Sequence, residues 1–242
     1  MQPPRRGIYL LPNLLTTLGL FAGFYAVVAA MKGYFETAAI AIFIAMLMDG
    51  LDGRVARLTG TESEFGGQYD SLSDMVAFGV APGLVIYSWS LFNLGKMGWL
   101  VAFLYTATTA LRLARFNTQS HESEDKKHFQ GLPSPAAAAT IASMVWFGSL
   151  YGMDGKFWAI PIAVLTIVVA MAMVSTFRYY SFKQVDFKGK VSFVTVVVAV
   201  LVVTAIALDP PEILFFIFIL YLFSGPLITF WQLKRMKRYK KY

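Results

Sequence analysis

Hydrophobic residues follow one another in long runs that short polar or charged segments separate. Charged and turn-forming residues, such as Lys32-Gly33 and Gly95-Lys96, mark the boundaries of these runs. A helix needs roughly 20 apolar residues to cross a bilayer. Runs of about that length predict eight helices, at 12–31, 36–57, 70–93, 97–116, 134–152, 157–177, 191–208 and 213–233. The pattern predicts an all-α fold, a polytopic membrane helical bundle.

Composition agrees with lipid as the solvent. Hydrophobic residues make up 57% of the 242 residues, and the mean hydropathy is +0.59. Such a chain is too apolar for one water-soluble core. Cysteine is absent, which excludes disulfides, thiolate metal sites and a catalytic thiol.

Basic residues are segregated between alternate loops. The termini and the loops that follow the second, fourth and sixth predicted helices hold 18 of the 21 lysines and arginines, and Lys32, Lys96 and Lys156 are the others. Positive charges near helix ends are retained in the cytoplasm, so both termini are predicted to be cytoplasmic in the cell (inner) membrane. The net charge of +7 and the basic run 234–241 are interpreted as anchors on anionic membrane lipids, with no nucleic-acid partner.

Four aspartates stand at the predicted cytoplasmic ends of the second and third helices. On a helix, Asp49 and Asp52 share a face, and Asp70 and Asp74 share another because they are four residues apart. We expect a connection of about a dozen residues between these helices, which allows them to run antiparallel. The two acidic faces are then expected to meet.

Such acids are either solvated loop-end carboxylates, paired with Arg54 and Arg57, or metal ligands. An aspartate at the centre of a span costs about 2.5–3.5 kcal/mol, and two arginines cannot neutralise four carboxylates. Oxygen ligands without cysteine favour two hard cations, Mg²⁺ or Mn²⁺. Small residues on the same faces leave room for a phosphate group: Gly53, Ala56 and Gly66.

The arrangement Asp49-x-x-Asp52-Gly53-x-x-Ala56-Arg57, followed after eight residues by Gly66-x-x-x-Asp70-x-x-x-Asp74, resembles the signature of the CDP-alcohol phosphatidyltransferases. The resemblance implies transfer of a phosphatidyl group from CDP-diacylglycerol to an alcohol with release of CMP. It also implies a homodimer and a core of six helices. We therefore expect one membrane domain over 1–242, with a catalytic core at 1–180 and two additional helices with a basic tail at 181–242.

The resemblance also implies roles for individual residues. Two metal ions would be held by Asp49, Asp52, Asp70 and Asp74, and Asp74 would also be the general base. The CDP pocket would be lined by Gly53, Ala56, Arg57 and Gly66, with Arg57 near the pyrophosphate. At the start of the first helix, Asn13 and Thr16 offer polar atoms to the cytidine base or ribose, although Asn13 could instead cap the helix.

The acceptor alcohol must be inferred outside this motif. The segments 6–17, 112–117 and 129–136 resemble the phosphatidylserine synthases of the family, which implies L-serine as acceptor. Arg112 and Arg115 lie three apart on one helix face and can bind a carboxylate with forked hydrogen bonds. Two alternatives stay open: both arginines are topological anchors, or they bind a phosphate-bearing acceptor such as glycerol 3-phosphate.

Two other functions use acidic membrane sites. Prenyltransferases of the UbiA kind bind Mg²⁺-diphosphate through aspartate motifs in different halves of the chain, whereas here Asp49 and Asp70 are close in sequence. A divalent-cation transporter would carry acids near the bilayer midplane, often on broken helices with internal repeats. The position of these acids toward helix ends favours the transferase.

Overall fold

The structure, a computed structural model, describes residues 10–119, 128–180 and 193–239, which are mostly helical. The helices in chain order are α1 (Leu10–Met31), α2 (Phe35–Thr59), α3 (Glu64–Asp74), α4 (Ala81–Trp89), α5 (Lys96–Gln119), α6 (Ser134–Leu150), α7 (Ala159–Val174), α8 (Phe193–Leu208) and α9 (Pro210–Tyr239). A π-helical turn, Met75–Val80, joins α3 to α4, and a 3₁₀ turn, Leu91–Leu94, precedes α5. Two strands, β1 (His128–Gln130) and β2 (Arg178–Tyr180), pair antiparallel.

Each predicted apolar run overlaps a helix, so the helical fold class is confirmed. Four helical segments are long and apolar enough to cross a membrane, as expected of a membrane protein: Leu10–Met31, Glu64–Trp89, Lys96–Thr118 and Pro210–Trp231. Helix α2 is 25 residues long but carries the charged motif, and α7 and α8 are shorter. Eight membrane crossings therefore stay a prediction.

The expected dozen-residue connection before the third helix is wrong. Helix α2 ends at Thr59 and is capped by Gly60, which has a left-handed backbone (φ 62°), and α3 already begins at Glu64. The intervening residue Ser63 has an extended backbone, and its Oγ accepts a hydrogen bond from the Gly66 amide at 3.0 Å. This cap starts the helix early, because local hydrogen bonding outweighs the low helix propensity of Gly66 and Gly67.

The helical segment from α3 to α4 is continuous but is not uniformly α-helical. Its π turn follows Asp74 directly, and α5 supplies partners for two of its carbonyls: Tyr105 Oη donates to Phe78 O at 2.9 Å and Thr106 Oγ1 to Gly79 O at 3.3 Å. Helix α1 crosses the turn closely, since a Cβ on Gly23 would lie 2.7 Å from Ala77 Cα. The turn that follows the acids is therefore fixed from two sides.

Small side chains dominate the contact between α1 and α2. Buried alanines line both helices, including Ala26 and Ala30 on α1 and Ala38 and Ala45 on α2. Small residues let membrane helices approach closely, which increases van der Waals contact. This close pairing sets the distance between the N-terminal half of α1 and the acidic end of α2.

The chain alternates between two ends of the bundle. At one end the hydroxyl of Ser90 donates to Gly155 O at 2.7 Å, and the Tyr151 hydroxyl donates to Glu212 at the start of α9. The opposite end holds the acidic motif and the β1–β2 ribbon. The helices α8 and α9 continue the bundle, with α9 packed on α6 and α8 on α9.

Candidate active site

Three of the four motif aspartates converge where α2 meets α3. Asp49, Asp70 and Asp74 are half-buried, and each offers a carboxylate oxygen within 4.8 Å of the others. Asp70 and Asp74 are one helical turn apart and share a face of α3, and this face meets Asp49 of α2. The prediction that two acidic faces meet is confirmed for these three residues, and their donor set suits Mg²⁺ or Mn²⁺.

Asp52 stands apart from this group. It is only 4% exposed, and its Oδ2 accepts a hydrogen bond from Thr16 Oγ1 at 2.8 Å. All four aspartates nevertheless line one narrow void beneath the end of α2. Asp52 therefore borders the acidic group while it also joins α2 to α1.

A larger cavity of about 560 Å³ opens beside the acids, between the N-terminal part of α1, the C-terminal part of α2 and the start of α3. Its wall contains the six residues that were predicted for the CDP moiety: Asn13, Thr16, Gly53, Ala56, Arg57 and Gly66. The structure thus brings together residues separated by up to 53 positions in the sequence. A cavity of this size is within the range of small-molecule sites.

Gly53 provides room for Arg57. A Cβ built on Gly53 would have the Arg57 guanidinium nitrogens at 3.8 and 3.9 Å as its nearest neighbours. The arginine therefore folds back over the glycine, one helical turn away, along the cavity wall. A longer side chain at position 53 would occupy the space that the guanidinium uses.

The start of α3 also borders the cavity. Ser63, Gly66 and Gly67 line it, and the first amides of a helix carry partial positive charge that attracts anions. A Cβ on Gly66 would lie 3.1 Å from Ser63 Oγ and 3.5 Å from Asn13 Oδ1. The glycine therefore allows close contact between the helix start, its cap and α1.

The two α1 residues predicted for the CDP moiety, Asn13 and Thr16, differ in the polar groups that they present to the cavity. Asn13 lies inside α1, which begins at Leu10, so the alternative that it caps the helix is wrong. Its side chain lines the cavity. Thr16 also lines the cavity, but its hydroxyl is directed to Asp52 and to Pro12 O at 3.1 Å. Thr16 thus orients an aspartate.

The cavity and the acidic void share a wall. Thr16, Asp52 and Asp70 line both spaces. An anion in the larger cavity would therefore lie next to any cation that the aspartates hold. This contiguity is the geometry that a metal-assisted reaction of a diphosphate requires.

The predicted acceptor arginines lie near the acids at the end of α5. Arg112 is buried, donates through Nε to Leu132 O, and interacts electrostatically with Asp74. Arg115 is half-buried and donates through Nη2 to Gln130 Oε1. A guanidinium has five N–H donors, so these bonds orient both groups without exhausting their capacity.

Sequence reasoning missed several residues of this site. Ser63 caps α3 and Gly67 lines the cavity beside it. The buried Ser73, between the two acids of α3, donates from Oγ to Thr16 O at 3.1 Å and so ties α3 to α1. Ser63 followed directly by the acidic Glu64 is a local cap signal, whereas the partner of Ser73 depends on helix packing.

Comparison with known proteins places the chain in a family. A sequence profile of the CDP-alcohol phosphatidyltransferase family matches residues 9–169. The CDP-diacylglycerol–serine O-phosphatidyltransferase of Helicobacter pylori is 35% identical over 219 residues, which cover 90% of this chain and 91% of that protein.

Two further relatives come from other lineages. The CDP-diacylglycerol–serine O-phosphatidyltransferase of Mycobacterium tuberculosis is 36% identical over 67% of this chain and 61% of its own length. The archaetidylserine synthase of Methanothermobacter thermautotrophicus is 36% identical over 70% of this chain and 69% of its own length. All three similarities extend over most of the chain.

Proposed function

The chain belongs to the CDP-alcohol phosphatidyltransferase family, and we propose that it transfers the phosphatidyl group of CDP-diacylglycerol to the hydroxyl of L-serine. The products are phosphatidylserine and CMP. The observation that carries the proposal is the acidic group Asp49, Asp70 and Asp74 beside a cavity lined by the six CDP-site residues. The names of the relatives over most of the chain support serine as the acceptor.

In this proposal the CDP moiety occupies the 560 Å³ cavity. Arg57 binds the pyrophosphate with forked hydrogen bonds, and the first amides of α3 face the same charge. Gly53, Ala56 and Gly66 have a small side chain or none, so the nucleotide can approach the helix backbones closely. Asn13 contributes a polar side chain for the base or ribose.

The four aspartates would hold Mg²⁺ or Mn²⁺. Asp49, Asp70 and Asp74 form the compact part of the ligand set, and Asp52, held by Thr16, borders it. When bound, the ions supply positive charge that stabilises the departing CMP. The site suits these ions because its ligands are carboxylate oxygens, which hard divalent cations prefer.

Asp74 is proposed as the general base. It accepts the proton of the serine hydroxyl while the serine oxygen forms a bond to the phosphatidyl phosphorus and the bond to the CMP oxygen breaks. Its position supports this role, because Asp74 belongs to the acidic group and also interacts electrostatically with Arg112. The base would therefore lie between the donor and the acceptor.

Arg112 and Arg115 are proposed to bind the serine carboxylate. Both lie at the same end of the bundle as the acids, and the segment 130–132 holds both. Glycerol 3-phosphate is the alternative acceptor, since arginines also bind phosphate.

The membrane arrangement belongs to the same proposal. Eight crossings with both termini in the cytoplasm would place the acidic end of the bundle at the cytoplasmic face of the inner membrane. Serine and CMP, which are water-soluble, would then exchange with the cytoplasm. We further propose a homodimer, and a catalytic core at 1–180 to which the C-terminal helices are added.

An acceptor assay tests the function. Purified protein receives CDP-diacylglycerol and Mg²⁺ or Mn²⁺ with labelled serine, glycerol 3-phosphate or inositol phosphate in separate reactions. We expect phosphatidylserine and stoichiometric CMP with serine alone, and no product after chelation with EDTA until Mg²⁺ or Mn²⁺ is restored. Product from glycerol 3-phosphate but not from serine would overturn the acceptor assignment. Cation flux into proteoliposomes without turnover would favour a transporter.

A further inference from the structure

One face of α9 packs against β2. Tyr221, Gly225 and Thr229 are four residues apart and therefore lie on one side of the helix. The ring of Tyr179, which is fully buried, lies over Gly225: a Cβ on the glycine would be 2.3 Å from Tyr179 Cζ. We call this face of α9, formed by Tyr221, Gly225 and Thr229, the α9 clamp.

Each residue of β2 is hydrogen-bonded to α9. The Arg178 amide donates to Thr229 Oγ1, the Tyr179 hydroxyl to Leu222 O and the Tyr221 hydroxyl to Tyr180 O, all at 3.0 Å. Burial raises the pKa of Tyr179 to about 12, so its hydroxyl is protonated and donates at neutral pH. The strand is therefore fixed at three successive positions.

Strand β2 in turn holds the segment that orients the arginines. Gln130 of β1 is opposite Arg178, and its side chain accepts the hydrogen bond of Arg115. Beyond β1, the Gly131 amide donates to Phe177 O at 2.9 Å, and Leu132, whose carbonyl accepts from Arg112, donates to Ala172 O at 2.9 Å. Both arginines thus depend on the stretch that α9 immobilises.

The α9 clamp also lies near Arg112 itself. Tyr221 is close enough to Arg112 for the guanidinium charge to act on it, as it also acts on Asp74. Helix α9 begins at Pro210 and lies wholly outside residues 9–169, the part that matches the family profile. A helix beyond the shared core therefore lies near one residue of the proposed acceptor site and is linked to the other through β2 and Gln130.

We propose that the α9 clamp positions Arg112 and Arg115 and so sets the affinity for the acceptor, with Tyr179, Tyr221 and Gly225 as positioning residues. The inference rests on the proposed function, because it takes these arginines as the acceptor site. It gives the C-terminal helix a role in recognition of the acceptor. The CDP cavity, built from α1, α2 and α3, is not in contact with the described residues of the clamp.

The test compares two Michaelis constants in the full-length protein. Gly225→Ala places a methyl group in the Tyr179 ring and must shift β2. We expect the KM for serine to rise about tenfold, comparable to the loss of one hydrogen bond to a charged group. The KM for CDP-diacylglycerol and the kcat at saturating serine should stay within about twofold, as for a change in ground-state binding.

A milder second variant keeps the proposal testable even if Gly225→Ala does not fold. Tyr221→Phe keeps the ring but removes the hydroxyl that bonds Tyr180 O, and we expect the KM for serine to rise about threefold to tenfold. The matched control is Leu227→Ala, on the same helix but 69% exposed, which should change neither constant. Equal changes in both KM values, or an unchanged KM for serine in both clamp variants, would overturn the positioning role.

The wild type separates the two proposals. If it turns over serine but Gly225→Ala and Tyr221→Phe keep its serine KM, only the clamp is wrong. If it uses another acceptor, the serine assignment is wrong and the clamp is judged by the same comparison with that acceptor. Hydrogen exchange adds a readout without substrate: in Gly225→Ala the amides of Gly131 and Arg178 should exchange faster, and unchanged exchange would contradict displacement of the ribbon.

Discussion

The donor side and the acceptor side of the proposed site are built in different ways. The donor side consists of α1, α2 and α3, which follow one another in the chain, and its aspartates lie within 26 consecutive positions. The acceptor side draws Arg112 and Arg115 from α5, and the residues that hold them from β1, β2 and α9. In this proposal the chemistry common to the family resides in one compact segment, while acceptor recognition would depend on contacts between distant segments.

The largest effect is expected from the proposed base on the donor side. Asp74→Asn keeps the size of the side chain but removes its capacity to accept a proton. We expect kcat to fall about 10²–10⁴-fold, measured as CMP release, while some binding of labelled CDP-diacylglycerol is retained. The control is Asp154→Asn at the opposite end, where an amide oxygen can still accept the bond from the Lys156 amide. Full activity of Asp74→Asn would refute the base assignment.

The next effect concerns the pyrophosphate. Arg57→Lys keeps the charge but removes the forked donor geometry, and we expect the KM for CDP-diacylglycerol to rise about 10–100-fold, which corresponds to about 1.5–3 kcal/mol for bonds to a charged group. The KM for serine should not change. Arg54→Lys is the matched control, because Arg54 is exposed on the same helix and is not among the residues that line the cavity. Equal effects of both substitutions would contradict a specific role.

A smaller effect is expected on the acceptor side, where the KM for serine should change and the KM for CDP-diacylglycerol should not. Arg115→Lys should raise the KM for serine about tenfold by loss of a forked carboxylate contact, with the KM for CDP-diacylglycerol unchanged. The measurement is phosphatidylserine formation at varied serine. Were the KM for CDP-diacylglycerol to rise instead, the division between the two sides would be wrong, and Arg115 would belong to the donor side.

The smallest effect is expected at the far end of the bundle. The hydrogen bond to Glu212 raises the pKa of Tyr151 to about 12, above the usual value of about 10. The folded protein then retains this proton more strongly than the unfolded chain, so the bond stabilises the fold below about pH 10 and is lost as the pH rises through about 12.

Tyr151→Phe should therefore leave both KM values unchanged. Its thermal stability should differ from that of the wild type by a small, constant amount below about pH 10, and the difference should vanish toward pH 12. Melting curves across this pH range test the claim. A changed KM would show that the far end influences the site.

Most of the donor side could be predicted from the sequence, because helical spacing alone places Asp70 and Asp74 on one face. The start of α3 was placed too late, since Gly66 and Gly67 resemble a loop and outweighed the cap signal at Ser63, which the bond to the Gly66 amide makes plain in the structure. The separate position of Asp52 was also missed. Its partner Thr16 is 36 residues away, and no local pattern reports such a contact.

The sequence by itself determined that the chain is a helical membrane protein and which acidic motif it carries, because hydropathy and helical period are local properties. The family followed from the spacing of that motif. Only the tertiary structure decided that Arg57 folds over Gly53, that Thr16 orients Asp52, and that α9 is hydrogen-bonded to β2, the partner of the strand that binds Arg115. These features depend on which helices pack together, and packing is set by side-chain shape over distances that no sequence window spans.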